Sequence, residues 1–251
     1  MNRDTLIEAI NAKLDAGRLK DYCPNGMQVE GRDEVKRIII SVSASEKLFL
    51  EAAKQKADLV IVHHGLIWNS YSGIIRGSYK KRVKALLDND ITLAAYHLPL
   101  DRHKELGNNI LIAKALGLEE LKTFGDYKGT DLGWQGKLSA PLSVEKFTQL
   151  LEAVCGGKVD RYGDGKSEIS TVAIVSGGAS DCANEAAVRG VDAYVTGEVC
   201  ESVVRFSEEE GLHFFAAGHY ATERFGIKAL GEWISAEFGL EVIYLDLPVP
   251  V

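Results

Sequence analysis

Short apolar runs recur along the chain at residues 37–42, 58–62, 91–96, 171–175, 192–195 and 213–217. Between them lie stretches with helical periodicity at 45–55, 80–89, 108–116, 143–154, 180–189, 199–210 and 221–237. Strands that alternate with helices at this spacing build βαβ units around a mostly parallel or mixed sheet. A surface helix at 4–15, with Leu6, Ile7, Ile10 and Leu14 on one face, opens the chain, and a last strand is expected at 241–245. Ser143 is the expected N-cap of the helix that follows it.

The pattern occurs twice. Residues 38–64 lie on 172–198 without a gap, which superposes Glu51-Ala52-Ala53 on Glu185-Ala186-Ala187 and Asp58 on Asp192. A longer glycine-punctuated loop follows His64 in the first half; beyond it, His97 falls on His219 and Asp101 on Glu223. The segment 122–131, with two glycines and few large apolar residues, reads as a linker, and a strand at 133–138 restarts the pattern. The expected fold class is therefore α/β: two related α/β domains from an internal duplication, 1–125 and 126–251, with a metal site in the cleft between them. The first carries His63, His64, His97 and Asp101, the second Glu198, His219 and Glu223. A chain of 251 residues is long enough to give each half its own core. Ligands of open α/β sheets commonly bind beyond the carboxyl ends of the strands, where these residues fall.

Net charge of −7 with interspersed signs disfavours nucleic acid as a partner. The local cluster Arg76, Lys80, Lys81, Arg82 and Lys84 reads as a solvated helix face. The four cysteines, Cys23, Cys155, Cys182 and Cys200, form no CxxC pair, so neither a zinc knuckle nor a redox couple is indicated. The N-terminus is a charged amphipathic helix rather than a signal peptide, and no apolar run reaches the length of a bilayer span. The expectation is a cytoplasmic protein with reduced thiols and no membrane partner.

Most of the six histidines sit at strand ends. His63 and His64 are adjacent, so a regular strand would point them to opposite faces; in a loop beyond the strand both can turn to one cleft. His219 and Glu223 are four apart, one face of a helix if that helix opens there, although a Glu near a helix start is also a common dipole partner. Asp101 follows Pro99 and is expected in a loop, as a ligand or as a turn residue. Three imidazoles and two carboxylates exceed the needs of one tetrahedral zinc. Two divalent ions about 3.5–4 Å apart match the count, and such pairs activate water and clamp attacking and leaving atoms. Mixed N/O ligation suits Zn, Fe, Mn, Co or Ni. His97 and Glu198, the repeat positions of His219 and His64, stand either as acid/base residues, as groups that orient a ligand, or as buried hydrogen-bonding residues. Trp68, Tyr71 and Arg76 could stack on and pair with a nucleotide-like ligand or pack at a subunit interface. Gly177-Gly178 lacks the Gly-Lys-Ser/Thr of a phosphate loop and reads as a tight turn.

The runs Val62-His63-His64-Gly65, His97-Leu98-Pro99-Leu100-Asp101 with Gly107-Asn108-Asn109, Val195-Thr196-Gly197-Glu198, and Gly218-His219-Tyr220-Ala221-Thr222-Glu223-Arg224 resemble the Nif-three-like family, whose members are often labelled GTP cyclohydrolase I type two homologues. The likeness covers nearly the whole chain. It implies two related α/β domains, a toroidal homohexamer, and two metal ions held at the positions of His63, His64, Asp101, His219 and Glu223. Two departures stand out: Gly65 where many members carry Pro, and Cys23-Pro24-Asn25-Gly26 where the family often shows an Asp-Asn run.

The function expected from this reading is a dinuclear metal-dependent hydrolase acting on a nucleotide-like substrate. The family label implies purine ring opening of the GTP-cyclohydrolase type. The alternative is a non-catalytic, metal-binding hexameric scaffold that binds a protein partner or nucleic acid.

Overall fold

The computed structural model describes residues 1–249. Its elements in chain order are α1 (Arg3–Leu14), β1 (Gly26–Val29), β2 (Arg37–Ser43), α2 (Glu46–Lys54), β3 (Leu59–His64), α3 (Gly77–Leu87), β4 (Thr92–Ala95) and α4 (Leu98–Arg102). Then come α5 (Asn108–Ala115), β5 (Leu118–Tyr127), β6 (Thr130–Ser143), α6 (Val144–Cys155), β7 (Asp160–Tyr162), β8 (Glu168–Ile174) and α7 (Ala183–Val188), the last preceded by a 3-10 turn at Ser180–Cys182. The chain closes with β9 (Ala193–Thr196), α8 (Glu201–Glu210), β10 (His213–Ala216), α9 (His219–Thr222), α10 (Arg224–Phe238) and β11 (Glu241–Tyr244). The mixed α/β class is as expected. No helix among the described residues is long and apolar enough to cross a membrane.

The chain divides into two compact units, but not at the expected place. One comprises residues 1–100 with 226–247, the other 101–225 with 248–251. Two features of pairing explain the difference from a boundary at 125. First, β11 returns from the C-terminus to pair in parallel with β2, Val242 opposite Ile38 and Tyr244 opposite Ile40. Second, the supposed linker is a hairpin: β5 and β6 pair antiparallel from Leu118–Leu138 to Tyr127–Thr130. Lys128 (φ 51°) and Gly129 (φ 84°) make its two-residue turn, the left-handed pair that a tight hairpin requires. Edge strands need few apolar residues, which is why this one reads as polar and linker-like.

In the first unit the sheet order is β1-β4-β3-β2-β11, parallel except for β1. Ile39, Val60, Val62, Leu93 and Ala95 face a core shared with Leu48, Phe49 and Ala52 of α2 and Leu86 of α3. Helix α10 lies close enough to the sheet that a Cβ on Gly231 would stand 2.3 Å from Ile40 Cδ1, so any larger residue there must displace the Ile40 side chain. The second unit has the order β5-β6-β8-β9-β10-β7, with β8, β9 and β10 parallel. Its core joins Val172, Ile174, Val195 and Phe215 to Phe147 and Leu151 of α6 and Ile112 of α5. Helix α6 begins as expected, with Ser143 Oγ accepting from Lys146 N at 3.3 Å.

The repeat read in the sequence has a structural counterpart in an aspartate at the start of β3 and of β9. Asp58 Oδ2 accepts from the backbone of Lys36 and Arg37 at 2.8 and 2.9 Å, while its Oδ1 pairs with Arg32 at 3.0 Å. Asp192 Oδ2 accepts from Ser170 and Thr171 at 3.0 and 2.9 Å, and its Oδ1 pairs with Lys166 at 2.7 Å. Each carboxylate closes the entry to two parallel strands through two backbone donors and one cation. Burial would raise the Asp192 carboxyl, but Lys166 and the backbone donors outweigh it and hold the group below the usual carboxylate range.

Candidate metal centre

Each unit carries histidine or carboxylate side chains of a kind that could hold a metal ion. In the first unit His63 and His64 are the last residues of β3, not loop residues as expected. His97 follows β4 by two residues. His63 is buried, and the other two are half-buried. Ring centroids are 4.8 Å apart for His63–His64, 5.1 Å for His63–His97 and 5.7 Å for His64–His97. One nitrogen from each ring lies within 4.8 Å of the other two, a spacing at which the three could hold one ion.

The other ring nitrogen of each is tied down. His63 Nδ1 lies 2.9 Å from the carbonyl of Tyr96, which can only accept, so Nδ1 is the donor and Nε2 faces the cluster. His97 Nδ1 lies 2.8 Å from Asp21 Oδ1, and His64 Nδ1 lies 3.0 Å from Ser43 Oγ. Burial opposes charge on Asp21, yet the bond to and charge of His97, with donors from Asn25 and Leu98, keep its carboxyl low. Metal-ligating histidines characteristically carry such a partner on the far nitrogen, which fixes both tautomer and ring orientation.

The surrounding loop is built to fit. Gln28 Oε1 accepts from the backbone of Leu66 and Ile67 at 2.8 and 3.0 Å. A Cβ on Gly65 would stand 2.4 Å from Gln28 Nε2 and 2.8 Å from Ala95 Cβ, so glycine lets this glutamine clamp the turn. Trp68 meets His97 edge-on at 5.2 Å and donates from Nε1 to Gly65 O, which walls the cluster with an apolar face. Tyr71, by contrast, stacks on Tyr79 at 4.0 Å.

In the second unit Asp101 lies in α4, a helical turn rather than the expected loop. It is buried, with Oδ1 accepting from Asn108 Nδ2 at 2.8 Å and Ser176 Oγ at 3.2 Å. Asn109 ties the same corner together: its Nδ2 donates to Asp101 O and Leu132 O, and its Oδ1 accepts from Ser176 N. His219 opens the short α9, and Glu223 sits at the joint before α10 instead of inside one long helix. The joint still brings His219 Nε2 to 3.2 Å from Glu223 Oε1. On the far side of the ring, His219 Nδ1 lies 2.6 Å from Glu198 Oε1. Burial disfavours charge on His219, but hydrogen bonds and charge from Glu223 and Glu198 override it and raise its pKa to about 9.

Carboxylate oxygens of Asp101 and Glu223, both buried, lie within 4.8 Å of each other. Two buried negative charges this close repel unless a cation stands near them, and His219 held as a cation beside Glu223 is one answer. Gly177 closes the corner. A Cβ there would meet Glu223 Oε1 at 2.3 Å and His219 Nε2 at 3.2 Å, and φ is +69°. Its N–H donates to Thr222 Oγ1 and its carbonyl accepts from Gly197 and Glu198. The turn expected at 177–178 is thus also a template for the ligating pair.

The structure brings His63, His64 and His97 together in one unit, and Asp101, His219, Glu223 and Glu198 into the other. The donor set of three imidazoles and two buried carboxylates fits divalent metal. His97 joins the imidazole cluster, and Glu198, exposed, acts on the far nitrogen of His219. Sequence reasoning missed Asp21, Ser43, Asn108, Asn109 and Ser176 as orienting groups. Asp21 had one available signal, a lone carboxylate just before the turn-rich Cys23-Pro24-Asn25-Gly26.

Comparison with known proteins finds relatives over the whole length of the chain. A family model described as Duf34/NIF3 (NGG1p interacting factor 3) matches residues 1–248. A curated relative from Haemophilus influenzae, named GTP cyclohydrolase 1 type 2 homolog, is 45% identical over 251 residues and is covered in full, as is this chain. Among solved structures, protein ybgI, a structural-genomics target of unknown function, superposes with a TM-score of 0.95 at 43% identity over the whole of both chains. TTHA1606 from Thermus thermophilus gives 0.92 at 34% identity, again over both whole chains. The chain belongs to the Duf34/NIF3 family.

Proposed function

We propose that His63, His64, Asp101, His219 and Glu223 together hold two divalent metal ions, and that the protein is a metal-dependent hydrolase of a nucleotide-like substrate. The observation that carries the reading is the treatment of the imidazoles. In His63, His64 and His97 alike, Nδ1 is engaged by a protein oxygen, which turns Nε2 toward the cluster; His219 Nδ1 is held in the same way by Glu198, with its Nε2 facing Glu223. Side chains that merely fill a core have no need of this repeated orientation.

The ions would be Zn, Fe, Mn, Co or Ni on the mixed N/O set, and would supply Lewis acidity and activation of water. The residues of the chain supply the rest. Asp101 and Glu223 balance the charge of the ions, and the Asn108–Ser176 pair fixes which oxygen of Asp101 is presented. Glu198 holds His219 by its far nitrogen, where it can also take up a proton. His97, tied to Asp21, closes the imidazole side. The names carried by the relatives favour a purine nucleotide, with ring opening as the reaction, and the reading extends to a cytoplasmic homohexamer.

The test is elemental analysis of protein purified without added metal, followed by assay of the loaded protein against nucleotides and phosphoesters. Bound metal with turnover that chelation abolishes supports the hydrolase. Saturated metal with no turnover of any substrate overturns it in favour of a metal-binding scaffold. Undiminished turnover after complete metal removal overturns it outright.

A further inference from the structure

The second unit contains a cavity of about 730 Å³ that the metal-ligating side chains do not line. It falls within the size range of sites for small organic ligands. Gly156, Gly157, Gly197 and Gly218 line it and give it room.

Three observations give the cavity a chemistry. It adjoins the candidate centre: Glu198, which holds His219 at 2.6 Å, is part of its lining, and a Cβ on the lining residue Gly197 would meet His219 Cα at 2.6 Å. Its lining includes the apolar surface of Val199, Ala217 and Tyr220. The opposite chemistry comes from Arg224, whose Nη2 donates to Cys155 O at 2.5 Å and is thereby a positive charge held in a fixed place. Gly156 packs close to it, since a Cβ there would stand 3.0 Å from the same Nη2. Lys158 adds a second cation at the rim, shared with Asp160 at 2.6 Å.

We infer that this cavity seats the substrate, and that the ligand is a phosphorylated nucleoside. The phosphate end lies toward Arg224 and Lys158, the ring system against Val199, Ala217 and Tyr220, and the reacting end beside Glu198 and His219. The inference rests on the hydrolase reading above for what happens at that end. Binding itself does not depend on that reading.

The test uses GTP as probe and the full-length protein, both chelator-treated and metal-loaded, with titration calorimetry as the readout. Gly157→Trp fills the cavity from a position where a Cβ meets nothing within 4 Å, so the fold has no reason to suffer. The variant is expected to lose at least about tenfold in GTP affinity while keeping the parent's metal content and melting temperature. Guanosine is expected to bind the parent at least about tenfold more weakly than GTP, because it lacks the charge that Arg224 meets. GTP binding unchanged in Gly157→Trp, equal affinity for guanosine, or no GTP binding in either metal state overturns the inference. GTP binding with an inert centre would sink the hydrolase reading and leave the seat standing. A loaded, hydrolysing centre with Gly157→Trp unaffected would do the reverse.

Discussion

The two units present different donor chemistry, imidazoles in one and mainly carboxylates in the other. The first offers three imidazoles, with His63 Nδ1 held on a backbone carbonyl. The second offers two buried carboxylates and one imidazole that stands protonated between Glu198 and Glu223. Rings already oriented through Nδ1 by protein oxygens need little reorganisation to take a cation. A charged set already holds a cation, a proton on His219, which a metal must displace. The comparison teaches that affinity should be governed by geometry on the first side and by proton competition on the second.

The sharpest way to break this contrast is to remove a donor from each side. His63→Ala and Glu223→Ala should each lower metal affinity by more than about a hundredfold, read as metal content after dialysis against a competing chelator, since losing a ligand costs more than losing the group that orients it. If either variant keeps full occupancy, that side is not ligating. Next in size are the orienting carboxylates. Asp21→Asn and Glu198→Gln should each cost about 10–100-fold in metal affinity, with Asp21→Asn acting through ring orientation and little affected by pH. Equal, negligible losses would return both residues to simple structural roles.

Proton competition gives the third prediction. In metal-free protein the His219 pKa of about 9 lies above its unfolded value, so the stability this group contributes is complete below about pH 6.5 and fades as pH rises through 9. Thermal melts of metal-free protein should therefore lose stability over that window, and His219→Gln should flatten the loss. A melting temperature flat from pH 6.5 to 9 in the parent would contradict the assignment. The smallest effect belongs to the matched aspartates far from the centre. Asp58→Ala and Asp192→Ala should each cost about 1.5–3 kcal/mol by denaturant unfolding, because each strands two backbone donors and a cation. The Asp192 contribution is present above the unfolded carboxylate pKa and lost as pH falls below about 4, through its lower folded value. A large difference between the two variants would show that the shared contacts are not energetically equivalent.

Much of this was legible in the sequence because buried strands and amphipathic helices write themselves as periodicity. The repeated Asp58 and Asp192 were visible in the alignment of the two halves, although their shared contacts were not. What escaped has a common physical cause. Gly26–Val29 and Asp160–Tyr162 are edge strands, where one side meets no neighbour and apolar patterning is not required. Residues 122–131 looked like a linker for the same reason. The return of α10 and β11 to the first unit depends on tertiary pairing between Ile38 and Val242, which no local pattern encodes. At the candidate centre, the histidines and acids stood out by type and spacing, while Asp21, Asn109 and Ser176 are ordinary polar residues given meaning only by their distances. Gly177 is the instructive case: a turn glycine in the sequence, and in the structure the surface against which Glu223 and His219 are set.

The most direct measurement is anomalous diffraction at the absorption edge of the metal found by elemental analysis, on crystals of protein purified without chelator or added metal. The account predicts two peaks per chain, bonded among His63, His64, Asp101, His219 and Glu223. Metal-free density at those nitrogens and carboxylates in protein whose analysis shows bound metal would contradict it.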